Sequence, residues 1–186
     1  LKVGRKVFAK HGYNGGTVEE IARVARVSKP IVYEHFGGKE GLYEVVVDRE
    51  MDVLVRRIAE NISEGTPRQR FERAVLAFLQ YVKDEPDGFA VLTRDAPMTM
   101  SGKGMPSVIS ELAERIGHIF FNQLKEAGLD PKASPVYAHA LIGMVTLTGQ
   151  WWTETRELDL DTVAKHVAAM GWMGLRHIPK DPEFSG

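Results

Sequence analysis

Hydrophobic positions recur every three or four residues along almost the whole chain. No run alternates with the period of two that a half-buried strand requires. Val3, Val7 and Phe8 form an apolar stripe over residues 1–11, and Gly12 is placed to end it ahead of the turn-rich stretch YNGGT. Val18, Ile21, Ala22 and Ala25 mark a second helix of two to three turns. Its start is a capping box, Thr17-Val18-Glu19-Glu20, in which Thr17 accepts from the backbone of Glu20 while the Glu20 side chain reaches back. After a break at Arg26-Val27, Ser28 is placed to cap a third short helix. Pro30 falls in its first turn, where N–H groups have no intrahelical partner to lose. GGK at 37–39 closes that helix, and a long one follows to about residue 62, carrying Leu42, Val45, Val46, Leu54, Val55 and Ile58.

Beyond SEGTP the spacing predicts longer amphipathic helices over 67–84, 86–95, 105–127, 133–156 and 160–177, with prolines at their junctions. The stretch APMTMSGKGMP at 96–106 reads as a loop, and the tail from Pro179 is expected to fray. The pattern is all-α with about nine helices. It divides into a three-helix N-terminal domain, 1–46, and a larger helical domain, 47–186.

Composition narrows the function. In 186 residues, 44% hydrophobic, there is enough apolar material for a sizeable core. The absence of cysteine excludes disulfides and thiolate metal sites and makes a reducing cytoplasm the expected compartment. No signal peptide and no membrane-spanning run is visible. Net charge is only −1, but residues 1–49 hold nine Lys/Arg against six acids, a balance of +3, and the remainder carries −4. That asymmetry permits a nucleic-acid-facing N-terminus.

Two short capped helices joined by a tight break form a helix-turn-helix candidate. Small Ala22 and Ala25 would let the second helix cross closely, and Val27, Val32 and Phe36 can turn inward with Ile21. Lys29, Pro30, Tyr33, Glu34 and His35 then occupy the outer surface of a helix able to enter a major groove. Thr17, Lys29, Tyr33, His35 and Lys39 can all donate to phosphate, and Lys39 stands at the start of a helix whose dipole favours an anion.

These residues also carry a family resemblance. Residues 7–47, VFAKHGYNGGTVEEIARVARVSKPIVYEHFGGKEGLYEVVV, resemble the DNA-binding domain of TetR-family transcriptional regulators. The patterns F-A-x-x-G-Y, T-V-x-x-I-A, V-S-x-x-x-x-Y-x-H-F and K-E-x-L occur in order at that family's spacing. The resemblance implies a phosphate contact at Thr17, a phosphate-clamping pair at Tyr33 and His35, and another phosphate contact at Lys39. Ser28 belongs to the same surface, and Lys29, Pro30 and Glu34 stand where base edges are met. Pro30 replaces a glycine or alanine, which favours apolar contact with a thymine methyl. Glu34 can accept from a cytosine amino group or turn away into a salt bridge.

The same resemblance implies a homodimer on a palindromic double-stranded operator, formed through the last two helices, and a small-molecule effector. Val163, Val167, Met170 and Gly174 share one face of the last helix. Gly171, Gly174 and Gly143 supply small surfaces for close helix approach, in the dimer or within the chain. Phe78, Phe89, Leu92, Phe120, Leu124, Met144, Trp151 and Trp152 form an apolar inventory suited to a bulky hydrophobic ligand. Thr148, Gln150, Arg94 and Asp95 are able to orient a polar end. IVYEHFGGKEGLY is similar to a branch frequent in actinobacteria, which implies a fatty-acyl or drug-like effector that releases a repressor from DNA.

No H-E-x-x-H, G-x-S-x-G or phosphate-binding glycine loop occurs, and His118, His139, His166 and His177 are scattered, so neither enzyme chemistry, a metal nor a cofactor is expected. The competing class is a helical lipid-binding or interaction protein without DNA-binding activity.

Overall fold

The computed structural model describes residues 1–93 and 108–180. The expected loop at 96–106, with Arg94 and Asp95, lies outside the described residues. Within them the helices are α1 (Lys2–Gly15), α2 (Val18–Ala25), α3 (Lys29–Phe36), α4 (Lys39–Asn61), α5 (Pro67–Asp84), α6 (Pro86–Thr93), α7 (Val108–Glu126), α8 (Ser134–Thr155) and α9 (Leu160–Arg176). A 3-10 turn, Pro131–Ala133, leads into α8. The chain forms two compact units, Leu1–Arg56 with Tyr81–Val108, and Arg57–Gln80 with Ile109–Gly186. The long α4 and α5 therefore each contribute to both.

In the first unit, α1 breaks where the sequence places its stop. Gly12 takes φ 68, a left-handed value that costs glycine little, but the chain then adds one more helical turn to Gly15 instead of an open connector. Phe8, Leu42 and Tyr81 are almost completely buried. Phe8 and Tyr13 both meet the Tyr43 ring edge-on at 5.0 Å, which ties the break in α1 to α4. α1 also packs along α6. The first unit thus extends well past residue 46, because the apolar side of α1 is closed by a helix some eighty residues later in the chain.

A charged cluster sits inside this unit. Glu50 of α4 is only 4% exposed. Its carboxylate accepts from the Tyr81 hydroxyl at 3.2 Å and faces Arg5 of α1 at 3.3 Å. Arg5 also holds Glu85, between α5 and α6, at 2.5 Å. Burial, and next the Glu50 charge, push the Tyr81 phenol well above its ordinary pKa, so the hydroxyl remains a donor. Gly88 of α6 lies so close that a Cβ there would collide with both the Glu50 carboxylate and the Tyr81 hydroxyl.

In the second unit α8 and α9 pack together, and α9 buries Val163, Ala164, Val167, Ala168 and Gly171. A Cβ on Gly171 would stand 2.7 Å from the Phe71 ring and 3.0 Å from Met144, so this glycine admits neighbours of its own chain. Asp159 caps α9 by accepting from the Thr162 amide at 2.9 Å.

Replacing Arg5 with Met leaves Glu50 buried beside no cation. The expected loss in denaturant-induced unfolding is about 3 kcal/mol, the low end for a broken buried pair because Arg5 keeps some contact with water. The double replacement Arg5→Met/Glu50→Met should recover much of that loss. Equal destabilisation by the single and double variants would show that the cluster does not act as a unit.

Candidate nucleic-acid interface

Local chemistry sets the geometry of α2 and α3. The Thr17 hydroxyl accepts from the Glu20 amide at 3.1 Å, one half of the expected capping box, while the Glu20 carboxylate stands 3.7 Å from His11 Nε2 instead of returning to the Thr17 amide. α2 ends on Arg26 in the left-handed conformation, φ 57, and Val27 returns its N–H to the Ala22 carbonyl at 3.0 Å. This closure reverses the chain sharply enough for α3 to start three residues later, at the cost of a non-glycine residue in the left-handed region. Ser28 stands at the N-cap of α3, yet its hydroxyl makes no capping bond. The reason lies in the next residues: Pro30 has no N–H to donate, and the Ile31 amide is already given to the Ser28 carbonyl at 3.2 Å.

Val32 is the buried anchor of α3, with Phe36 half-buried beside it and Ile21 and Ala22 buried on α2. Ala25, expected to let the next helix cross closely, and Val27, expected to turn inward, are instead exposed: Ala25 is the last residue of α2 and Val27 lies in the turn after Arg26. The outer surface of α3 presents Lys29, Pro30, Ile31, Tyr33, Glu34 and His35. Gly38 lies under the Tyr33 ring, 3.3 Å from Cε1 for an added Cβ, and its φ of 134 suits glycine. Tyr33 is thereby supported from below while more than half exposed.

Two of the expected DNA contacts have partners within the chain. The Lys29 ammonium is 2.5 Å from the Glu19 carboxylate, and this hydrogen bond draws the Glu19 pKa below the ordinary carboxylate range. Lys39 at the start of α4 lies 4.5 Å above the centre of the Tyr13 ring and donates to the Asn14 carbonyl at 3.3 Å. Lys39 thus braces the last turn of α1, after the break at Gly12, beside the Phe8, Tyr13 and Tyr43 rings. Among the described residues Glu34 makes no ion pair. Ile31, exposed beside Pro30, was not singled out by sequence reasoning. A β-branched residue in an apolar run reads as core, and only the burial of Val32 shows which of the pair turns out.

A helix-turn-helix with a cationic and apolar tip, carried on an all-helical chain, defines a DNA-binding regulator. Residues 1–46 match the model of bacterial regulatory proteins of the tetR family, and residues 67–174 match the tetracyclin repressor-like C-terminal domain. The chain belongs to the TetR family of transcriptional regulators, which are not enzymes. It is 28% identical over 185 residues to the transcriptional activator FasR of Mycolicibacterium smegmatis, spanning 96% of this chain and 82% of that protein. A TetR-like regulator from Rhodococcus sp. RHA1 superimposes with a TM-score of 0.73 at 25% identity, covering 95% of this chain and 93% of the other. AibR, solved with isovaleryl coenzyme A and operator DNA, shares the fold with a TM-score of 0.71 at 18% identity, covering 91% and 96%.

The residues expected to line a ligand site are spread more widely. Phe89 and Leu92, on α6, are buried in the first unit. In the second, Phe78 and Leu124 are buried, and Phe120, Met144 and Thr148 are half-buried. Trp152 is buried, but its Nε1 donates to the Leu158 carbonyl at 2.8 Å and Arg156 stacks on its ring. It fastens the turn into α9. Trp151 points outward. None of these residues lines the recess of about 460 Å³ between α5 and α9, which is bordered by Arg68, Glu72, Leu76, Asp161, Lys165 and Ala168.

The expected dimer face also divides. Val163, Val167 and Gly171 turn into their own chain, whereas Met170 and Gly174 are exposed and Gly143 is half-exposed. Outward positions missed by sequence reasoning join them: Val136 and Leu147 on α8, each 67% exposed, and Met173 on α9. On α8, Val136 and Leu147 with Ala140, Gly143 and Trp151 follow the three-and-four spacing of a helix stripe. The period was visible in the sequence, but its apolar face merged the side facing the chain with the side facing out. Among the described residues no helix is long and apolar enough to cross a membrane, and no three His, Asp or Glu side chains gather as a metal site.

Replacing Tyr13 with Leu should free Lys39 from its ring and loosen the last turn of α1. Operator affinity, measured by fluorescence anisotropy, should fall several-fold while the far-ultraviolet circular dichroism of the helices is retained. Unchanged affinity would show that the brace on Lys39 has no bearing on DNA.

Proposed function

We propose that the chain is a ligand-responsive regulator that binds a palindromic operator as a homodimer, with α3 in the major groove. Residues 1–46 serve as the reading head, and the remainder as the effector and dimer domain. Phosphates are held by Thr17, Tyr33, His35 and Lys39, and base edges are met by Lys29 and Pro30 together with Ile31. The observation that carries this reading is the division of α3: Val32 anchors it, and every other side chain of its first two turns faces outward. Such an element has no use in a core and is shaped for a groove.

Dimerisation through α8 and α9 is supported by their outward apolar stripe. Val136, Leu147, Trp151, Met170 and Met173 are large apolar side chains without cover on two adjacent helices, the mark of an association surface. Isologous pairing of this surface gives the two-fold symmetry that a palindromic operator requires. The effector is a hydrophobic molecule of the fatty-acyl or drug-like class, in keeping with the apolar side chains of α7 and α8 and with the acyl ligand of the structurally similar AibR. Its binding releases the protein from DNA and relieves repression.

The double replacement Leu147→Glu/Met170→Glu should shift the protein from dimer to monomer in sedimentation and reduce operator binding by more than tenfold. A dimer that survives both charges would place the interface elsewhere. For the effector, organic extraction and mass spectrometry of the purified protein should reveal an acyl chain, and adding that molecule to the protein–operator complex should lower its anisotropy. A molecule that co-purifies yet leaves operator affinity unchanged is not the effector.

A further inference from the structure

We propose that Glu19 is a positioning residue for base recognition: it holds Lys29 in a single orientation across the turn between α2 and α3, so that Lys29 reads a guanine instead of binding phosphate indiscriminately. The inference rests on the reading of α3 as the groove-facing helix and adds the acid that governs its specificity.

The geometry is particular. Glu19 is the second residue of α2 and Lys29 the first of α3, and their charged groups meet at 2.5 Å although ten residues separate them. Both side chains stand on the outer surface, 60% and 53% exposed. Exposed lysines otherwise sample many rotamers, and an unrestrained ammonium follows the strongest nearby field, which on DNA is that of the phosphates. An ammonium has three N–H donors; Glu19 takes one and leaves two. Guanine offers two acceptors in the major groove, O6 and N7, to which a lysine can donate.

The surroundings of Lys29 reinforce this role. Pro30 provides no N–H, and the Ile31 amide is committed to the Ser28 carbonyl. The Lys29 side chain is therefore a principal polar donor at the tip of α3, flanked by the apolar surfaces of Pro30 and Ile31. Glu19 has a second effect. A carboxylate on the face turned to a polyanion is repelled by every phosphate alike, which lowers the sequence-independent part of binding. Holding the lysine and repelling the backbone both widen the gap between specific and non-specific affinity.

The test combines selection of binding sites from a random duplex library with salt titrations, using the full chain as wild type, Glu19→Gln, Lys29→Ala and the double variant. The wild type should select a guanine at one position in each half-site, and Lys29→Ala should lose that preference, roughly fivefold or more in relative affinity. Glu19→Gln should weaken the same preference and raise affinity for random duplex. Its plot of log affinity against log salt should steepen by up to about 0.9 for each lysine released to a phosphate. The double variant should behave as Lys29→Ala alone, since Glu19 acts through that lysine.

The proposal is overturned if Glu19→Gln keeps the full guanine preference, or lowers specific and random-duplex affinity in the same proportion as a purely structural residue would. It is equally overturned if the Glu19→Gln effect on base preference persists in the Lys29→Ala background. Loss of no base preference in Lys29→Ala would remove Lys29 as a reader while leaving DNA binding intact. A wild-type protein that selects no duplex would instead overturn the groove-facing reading of α3 itself.

Discussion

Burying the Glu50 carboxylate obliges the first unit to supply a cation and a hydroxyl at fixed positions, because a charge stripped of water is tolerated only when paired and hydrogen-bonded. Arg5 brings the cation from α1, Tyr81 brings the hydroxyl from the end of α5, and Gly88 of α6 gives up its side chain so that both can fit. Four helices thereby meet at one buried carboxylate. The Phe8, Tyr13 and Tyr43 rings hold α1 to α4 as well, and the cluster adds a polar constraint, since Glu50 keeps its partners only while Arg5 and Tyr81 stay within reach. The direction and register of α1 follow, and with them the platform on which α2 and α3 are mounted.

On that platform, cations, acids and rings are paired before any DNA arrives. Lys39 rests on Tyr13, Lys29 on Glu19, and the Tyr33 ring over Gly38. Each pairing limits the freedom of a long or flat side chain which, on the proposed reading of α3, a phosphate or base would otherwise have to arrest on binding. An interface prepared in this way loses less conformational entropy on association. It is consistent with the small excess of positive charge in the N-terminal part: orientation stands in for sheer charge.

The helices and the helix-turn-helix were legible in the sequence because their signals are local. Thr17, Gly12, Pro30 and GGK punctuate the chain through caps, positive φ and missing donors that need no knowledge of the rest. Partner choice was not legible. The periodicity of Val3, Val7 and Phe8 announces an apolar stripe on α1 but cannot say that α6 covers it. Trp151 and Trp152 are adjacent and chemically alike, yet one faces out and the other is fastened to Leu158. In α9 a single broad apolar arc serves two neighbours, and only packing shows that Gly171 is held by Phe71 and Met144 while Met170 is left uncovered. The Glu19–Lys29 pair escaped for a related reason: ten residues is no helical spacing, and the pair exists only because the chain reverses at Arg26.

The path of the ion cluster through the chain bears on how the reading head can be separated from the rest. A fragment ending at residue 46 would contain Arg5 but neither Glu50 nor Glu85, and the apolar side of α1 that rests on α6 would be open to water. The smallest piece with a closed interior must run at least to α6, although the side chains proposed to meet DNA are complete by Lys39. In this protein the unit of recognition and the unit of folding are therefore of different lengths, and the longer one sets where the chain can be cut.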